Sequence, residues 1–322
     1  MMSPRRWLLT TTLLVLGLGG GVIGTNVILD PYGLYRPTQG RRIVSYGDSR
    51  IAKYLLNARY VPENFNAVLI GSSVTGNWDM SRVEKLKIYN DSLNGGNITE
   101  GDALLEMAIR QPGISTVVLL VHPAMTSDHD FETVRLRPDL TRSALGSLSL
   151  LDAYKDMIYV RLHRRPTFET FDAAGTETFD DLPTEMNSSM KALWKPGDSF
   201  DVDPIALATY RDAIRQVRAK RLHIIFVVPP TAEYLLQTKR AAFDRYVEMI
   251  RADSTPDDLW IDFMTDEYAA FRRDRTHFPD GSHLTPEAAG IVVSYVDAAI
   301  DDWFDRERVG RGVDRERVAT RR

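Results

Sequence analysis

The sequence predicts an α/β protein with a mostly parallel sheet covered by helices on both faces, carried behind an apolar N-terminal helix. Three observations predict it. Short continuous apolar runs recur at NAVLI (66–70), TVVLLV (116–121), LHIIFVVP (222–229) and LWIDF (259–263), the pattern of strands buried on both faces. Between them lie stretches of helical periodicity with clear start signals, and strand–helix–strand alternation favours parallel crossovers. Ahead of them stands WLLTTTLLVLGLGGGVIGTNVIL, residues 7–29, without a charge.

That first segment is long enough to cross a bilayer core as a helix, and Arg5 and Arg6 before it place the N-terminus inside. Its apolar run exceeds that of a usual secretory signal and TNVILD is a poor cleavage site, so it reads as an uncleaved signal-anchor rather than a cleaved signal. Either reading exports the remainder. The glycines at 17, 19, 20, 21 and 24 offer a close-packing face to another helix. After DPYGLYRP, RIAKYLLNARYV (50–61) has the spacing of an amphipathic helix, with Asp48 or Ser49 as its cap.

NAVLI is the first strand and KIYNDS (87–92) a second, weaker one. ITEGDALLEMAIRQPG (98–113) is a helix capped by Thr99 and stopped by Pro112-Gly113. The strand TVVLLV follows. Asp203 as cap and Pro204 at the first helical position start a helix that runs to 221. The strand 222–229, the helix AEYLLQTKRAAFDRYVEMIRA, the strand 259–263 and a last helix from Thr285 and Pro286 to about Phe304 complete the pattern.

Two stretches break this rhythm. Residues 123–202 are rich in turn formers and too long for a bare loop, so they read as an inserted cap over the carboxyl ends of the strands, with helix around Leu150 to Val160. The tail repeats DRERV at 305–309 and 314–318 and reads as a solvated helix end or disorder. The chain thus divides into an anchor (1–30), an α/β domain (31–304) with its insertion at about 123–202, and a charged tail (305–322).

Composition narrows the function classes. The 322 residues are 43% hydrophobic and 26% charged, which suits a folded chain with a sizeable core. A net charge of -4 and the lack of a basic stripe interleaved with aromatics argue against a nucleic-acid partner. The lack of cysteine removes disulfides, thiolate chemistry, cysteine-bound zinc and lipoprotein acylation.

Two serine motifs compete for a catalytic role. Gly71-Ser72-Ser73 follows the first apolar strand directly, where backbone N–H groups converge on a rigid sheet edge. Gly47-Asp48-Ser49 follows the short, charged RRIVSY and precedes a helix, where Asp48 or Ser49 serves more simply as a cap. A serine nucleophile needs a base, and the base needs an orienting group. FPDGSHLTPEAAG supplies both: Asp280 and His283 lie on the turn entering the last helix, spaced so that the carboxylate reaches one ring nitrogen and leaves the other toward the serine.

A serine ending the first strand, with Asp-x-x-His before the C-terminal helix, resembles the SGNH or GDSL hydrolase superfamily, with GSS in place of GDS. The anchor, DPYG, RIAKYLLNARYV, VLIGSS, NGGN, VVPP and DGSHLTPE are similar, more narrowly, to membrane-anchored SGNH-like proteins of bacterial exopolysaccharide gene clusters. The resemblance implies a flavodoxin-like three-layer sandwich with about five strands. It also implies Ser73 as nucleophile, His283 as general base and Asp280 as its orienter. The backbone N–H of Ser73 and of a glycine in Leu93-Asn94-Gly95-Gly96-Asn97 would form the oxyanion hole; Gly95 is preferred, with the register to Gly96 open. Members of that superfamily usually carry Gly-x-Asn after the third strand. TVVLLV runs instead into His122-Pro123-Ala124, and Asn77, Asn97 and His122 are the candidate substitutes, Asn97 among the expected oxyanion residues.

Other groups rank lower. His122, Asp128, His129 and Asp130 have no helical HExxH spacing, so no metal is expected, and no cofactor. His163-Arg164-Arg165 is a contact for an anionic polymer or a solvated turn. Trp78, Trp194 and Tyr154 are sugar-stacking candidates whose default is core packing. The resemblance implies an exported, inner-membrane-anchored serine O-acetylesterase or O-acetyltransferase, facing the periplasm or exterior. It would act on polysaccharide, with a membrane-embedded synthesis or acyl-transfer protein as a candidate partner. The alternative is a non-catalytic scaffold of the same fold in polysaccharide synthesis or export.

Overall fold

The computed structural model describes residues 3–35, 43–44, 49–127, 146, 150–163, 170–178, 185–186 and 188–319. Pro4–Leu29 form α1, about 39 Å long at 1.5 Å per residue against a bilayer core of about 30 Å. Ser3 caps its start, accepting from the Arg6 N–H at 3.4 Å, and Pro4 takes the first helical position. Asp30 ends it in the left-handed region (φ 47), its carboxylate accepting from the Leu34 and Tyr35 N–H groups at 2.6 and 3.0 Å. The DPYG stretch is therefore a C-terminal cap. By length and composition α1 can cross a membrane, and its leucines are exposed accordingly.

The strands are β1 (Ile43–Val44), β2 (Ala67–Ile70), β3 (Ile88–Asn90), β4 (Thr116–Leu120), β5 (Thr170–Phe171), β6 (Glu177–Thr178), β7 (His223–Val228) and β8 (Leu259–Asp262). Five make one parallel sheet in the order β3-β2-β4-β7-β8. Renumbered within the sheet this is 2-1-3-4-5, the flavodoxin-like order, whose topological switch point lies beside the end of the first strand. Val68 stands opposite Tyr89 and Val117, and Val227 opposite Ile261. Strands β2, β3 and β4 are buried at every position, so no face is left to water.

The main helices are α2 (Ser49–Arg59), α3 (Ser73–Gly76), α4 (Ile98–Ile109), α5 (Leu150–His163), α6 (Pro204–Ala219), α7 (Arg240–Arg251) and α8 (Pro286–Ala319). Helices α4 and α6 pack side by side, α4 also against α2, and α8 against β8. Asp203 caps α6 with its carboxylate on the Ile205 and Ala206 N–H groups, ahead of Pro204.

Three expectations change. The cap of α4 is Asn97, not Thr99: Asn97 is extended and accepts from the Thr99 N–H at 2.9 Å, while Thr99 already lies inside the helix. The single helix expected over 232–252 is broken into Glu233–Leu236 and α7. At the break Lys239 leaves the helical region (φ -136, ψ 9), and its Nζ donates to the carbonyls of Leu193 and Ser199 and lies over the Phe200 ring. The last helix does not stop near Phe304 but continues to Ala319. In addition, β1 pairs with β5, and β5 with β6, in a small antiparallel sheet that joins the stretch after α1 to the insertion. The helix expected in that insertion is α5.

Helix α2 is also more than a solvent-facing amphipathic helix, because residues 52–57 are all buried. Ala52, Leu55 and Leu56 join Tyr32, Leu150, Ala153 and Phe171 in a second core. Arg50, Lys53 and Asn57 recur at helical spacing on the opposite face and point to the end of β3.

Leu119, fully buried in the central strand β4, should cost about 2–5 kcal/mol when cut to alanine. Ile205, 71% exposed at the start of α6, should cost under about 0.5 kcal/mol. Denaturant titration of both variants checks this, and equal losses would contradict the placement of the core.

Candidate active site

The site is built where β2 ends. Gly71 follows Ile70, and a Cβ there would lie 2.7 Å from Ser92 Oγ and closer still to Thr75 Oγ1, so only glycine fits. Ser72 then pairs with Leu93 in an isolated parallel bridge, and the Leu93 N–H donates to the Gly71 carbonyl at 3.1 Å. Ser73 is the first residue of α3 and is half-buried. A four-residue helix cannot hold itself. Buried Asn90 does so: its Nδ2 donates to the carbonyls of Thr75 (2.8 Å), Gly76 (3.2 Å) and Trp78 (3.1 Å), and its Oδ1 accepts from the Ser92 N–H (3.0 Å).

The histidine arrives from the loop before α8. Asp280 Oδ1 accepts from the Ser282 and His283 N–H groups at 2.9 and 2.8 Å. Gly281, at φ 92, turns beneath the Tyr234 hydroxyl, which leaves no room for a Cβ. His283 Nδ1 lies 2.6 Å from Asp280 Oδ2, and its Nε2 lies 2.9 Å from Ser73 Oγ. Asn77 fastens this loop to α3 by donating from Nδ2 to the Leu284 carbonyl at 2.7 Å. Burial pushes the Asp280 carboxyl up, but the hydrogen bond and charge of His283 and the two backbone donors outweigh it, holding the group below its ordinary value. Asp280 is then ionised at neutral pH, which fixes a proton on Nδ1 and leaves Nε2 as the acceptor facing Ser73.

The structure thus brings Ser73, His283 and Asp280 together. It does not bring Ser49 to the histidine: Ser49 is buried at the start of α2. The accompanying Asp48 lies outside the described residues. At the oxyanion side, the Gly96 N–H closes a turn onto the Leu93 carbonyl at 3.1 Å, while Gly95 sits at φ 61. Among the described residues the Gly95 N–H donates to no protein group. The turn thus takes up the Gly96 N–H and leaves that of Gly95 unbonded.

The side-chain candidates have other work. Asn97 caps α4 with its Oδ1 and donates from Nδ2 to the Ser127 carbonyl at 3.2 Å, which leaves one amide hydrogen for any further partner. Asn77 holds the histidine loop. His122 is buried against Trp194 and Phe243, and its Nδ1 accepts from the Ala124 N–H at 3.2 Å. Trp78 and Trp194 are buried in the main core rather than set out for sugar stacking, and the Tyr154 hydroxyl is bonded to Asn26 of α1. Asp128, His129, Asp130, Arg164 and Arg165 lie outside the described residues.

Sequence reading missed a buried polar cluster behind the site. Lys53 donates to the Ser92 carbonyl and pairs with Glu177 Oε1 at 3.0 Å, both side chains essentially without solvent. Asn57 donates to Asp91 Oδ2 at 2.7 Å and to the Leu104 carbonyl at 3.0 Å. The available signal was the polar run Asn90-Asp91-Ser92 at the end of an otherwise apolar strand.

No family model and no curated protein matches the chain. Solved structures with a related chain path include a Streptococcus pneumonia protein described as a platelet activating factor (11% identity, TM-score 0.44, covering 79% of this chain and 91% of that one). Another is a Desulfitobacterium hafniense protein described as lipolytic and of the G-D-S-L family (9%, 0.40, 73% and 99%). A third is a GDSL-like lipase from Bacteroides thetaiotaomicron (10%, 0.40, 77% and 98%).

Burial pushes the Asp91 carboxyl up to about 8, against the pull of the Lys53 ammonium, which is already paired with Glu177. The folded state therefore keeps a proton that the unfolded chain releases near 3.8, so this group's contribution to stability falls as pH rises from about 4 to about 8. Asp91→Asn should remove that fall: its melting temperature relative to the parent rises between pH 6 and 9. Parallel curves across that range would contradict the assignment.

Proposed function

We propose that this chain is an exported, membrane-anchored serine acyl-transfer enzyme of the SGNH or GDSL kind. It is an O-acetylesterase or O-acetyltransferase that acts on cell-envelope or secreted polysaccharide. The observation that carries the catalytic part is the closed relay, with Ser73 Oγ 2.9 Å from His283 Nε2 and Nδ1 2.6 Å from Asp280. Ser73 Oγ attacks the acyl carbonyl as Nε2 takes its proton, and Asp280 stabilises the imidazolium. The oxyanion that forms accepts from the N–H groups of Ser73 and Gly95. Collapse releases the alcohol, which takes the proton back from Nε2, and leaves the acyl group on Ser73. Water or a sugar hydroxyl then gives up a proton to Nε2 and attacks the ester, releasing acid or acylated sugar.

The polysaccharide target rests on the resemblance of the DPYG, NGGN and DGSHLTPE blocks, and the inner-membrane site on α1 and the arginines before it. TVVLLV runs into His122-Pro123-Ala124 rather than Gly-x-Asn, which favours a modest hydrolase or a transferase, since one oxyanion donor is worth about a hundredfold to a thousandfold in rate.

Full-length protein in detergent should cleave p-nitrophenyl acetate and release acetate from acetylated envelope polysaccharide, or transfer acetyl to it. Ser73→Ala and His283→Ala should abolish turnover, Asp280→Asn should lower kcat by about 10³–10⁴, and Ser49→Ala should leave it unchanged. Turnover that survives Ser73→Ala would sink the reading. Turnover of the small ester with no effect on any polysaccharide would remove the proposed target and keep the chemistry.

A further inference from the structure

We propose that Arg50 is the positioning residue for the oxyanion donor Gly95, an inference that rests on the acyl-transfer reading above. The Gly95 N–H belongs to the peptide joining Asn94 to Gly95, and the oxygen of that same peptide, Asn94 O, accepts from Arg50 Nη2 at 2.8 Å. A peptide unit is planar, so fixing its oxygen fixes the direction of its N–H. This peptide is the central one of the turn from Leu93 to Gly96, closed by the Gly96 N–H on the Leu93 carbonyl. Gly95 has φ 61 and Asn94 is not among the residues with positive φ, which leaves type II as the turn. Types I and II differ by a rotation of the central peptide through about 180°, and glycine at the third position tolerates both. A rotation of that kind would carry the Gly95 N–H from one side of the turn to the other.

The cation that prevents it is itself held. Arg50 Nε pairs with Glu100 Oε1 at 2.7 Å, with the Glu100 side chain 3% exposed in the first turn of α4. One helical turn along α2, Lys53 binds Ser92 O, two residues before Asn94, and is fixed by Glu177. Two cations from one face of α2 therefore grip the carbonyl side of the loop, and the free N–H of Gly95 is presented on the other. A charged donor on the carbonyl also polarises the amide and strengthens its N–H as a donor. Among the described residues Arg50 bonds Glu100 and the Asn94 carbonyl rather than Ser73 or His283, so its influence on the site runs through Gly95.

The test compares Arg50→Ala, Arg50→Lys and Glu100→Gln with the parent, all full-length in detergent, in ester turnover and in binding of a trifluoromethyl ketone. That inhibitor forms a tetrahedral adduct on a catalytic serine. Arg50→Ala should lower kcat about 10- to 100-fold with KM unchanged, and weaken the ketone by the same factor. Methylguanidinium in solution should restore part of the Arg50→Ala activity and none of the Ser73→Ala activity. Lysine at 50 should restore less than half of the loss, because it cannot bridge Glu100 and Asn94 O as a planar fork. If Arg50→Ala does not fold, Glu100→Gln should show the same paired loss in smaller measure. An active parent with kcat and ketone affinity unchanged in folded Arg50→Ala and Glu100→Gln would overturn the role of Arg50 while leaving the acyl-transfer reading intact. A parent whose turnover and ketone binding equal those of Ser73→Ala would overturn both.

Discussion

Asn90 is buried at the end of β3, where a polar side chain is costly unless each of its groups is bonded. Its amide reaches three carbonyls of the segment after Ser73 and accepts the N–H of Ser92, so one side chain fixes both the turn that carries Ser73 and the start of the loop that carries Gly95. Of the two α3 carbonyls that Asn90 reaches, only that of Thr75 has a backbone donor as well, the Trp78 N–H at 3.1 Å, among the described residues. The position of Ser73 on the sheet edge depends on this constraint. Through it the hydroxyl meets a histidine that comes from the far end of the chain, 210 residues away.

The second constraint is electrostatic. Lys53, Glu177, Asp91 and Asn57 come from α2, the small antiparallel sheet and the end of β3, and they share a region closed to water. An unpaired charge there would be expensive. Lys53 and Glu177 balance one another, and Asp91 keeps its proton near neutral pH. The apolar face of α2 meanwhile packs with Tyr32 and Leu150 in the second core, directly after the cap of the anchor helix. Helix α2 thus ties the segment after α1 to the loop that carries Gly95.

The parallel sheet was legible because its strands are buried on both faces, which leaves unbroken apolar runs such as TVVLLV and LHIIFVV in the sequence. Ser73, Asp280 and His283 were legible because each sits at a strand end or helix entry with glycine beside it, and Gly71 and Gly281 are sterically obligatory. The buried polar face of α2 was not. Lys53 and Asn57 read as the water side of an amphipathic helix, since periodicity cannot tell a solvated lysine from one paired across 124 residues with Glu177. The break before α7 was hidden for a similar reason: it falls at Lys239, whose side chain reaches distant carbonyls, and no glycine or proline marks it. Thr99 was preferred to Asn97 as a cap because both are good cap residues and only the backbone angles separate them.

The most direct measurement is covalent labelling of the folded, full-length protein with a fluorophosphonate, followed by peptide mapping of the modified residue. The account predicts one phosphonylated serine, Ser73, with labelling lost on heat denaturation. Modification of Ser49, or none under conditions that label a known serine esterase, would contradict it.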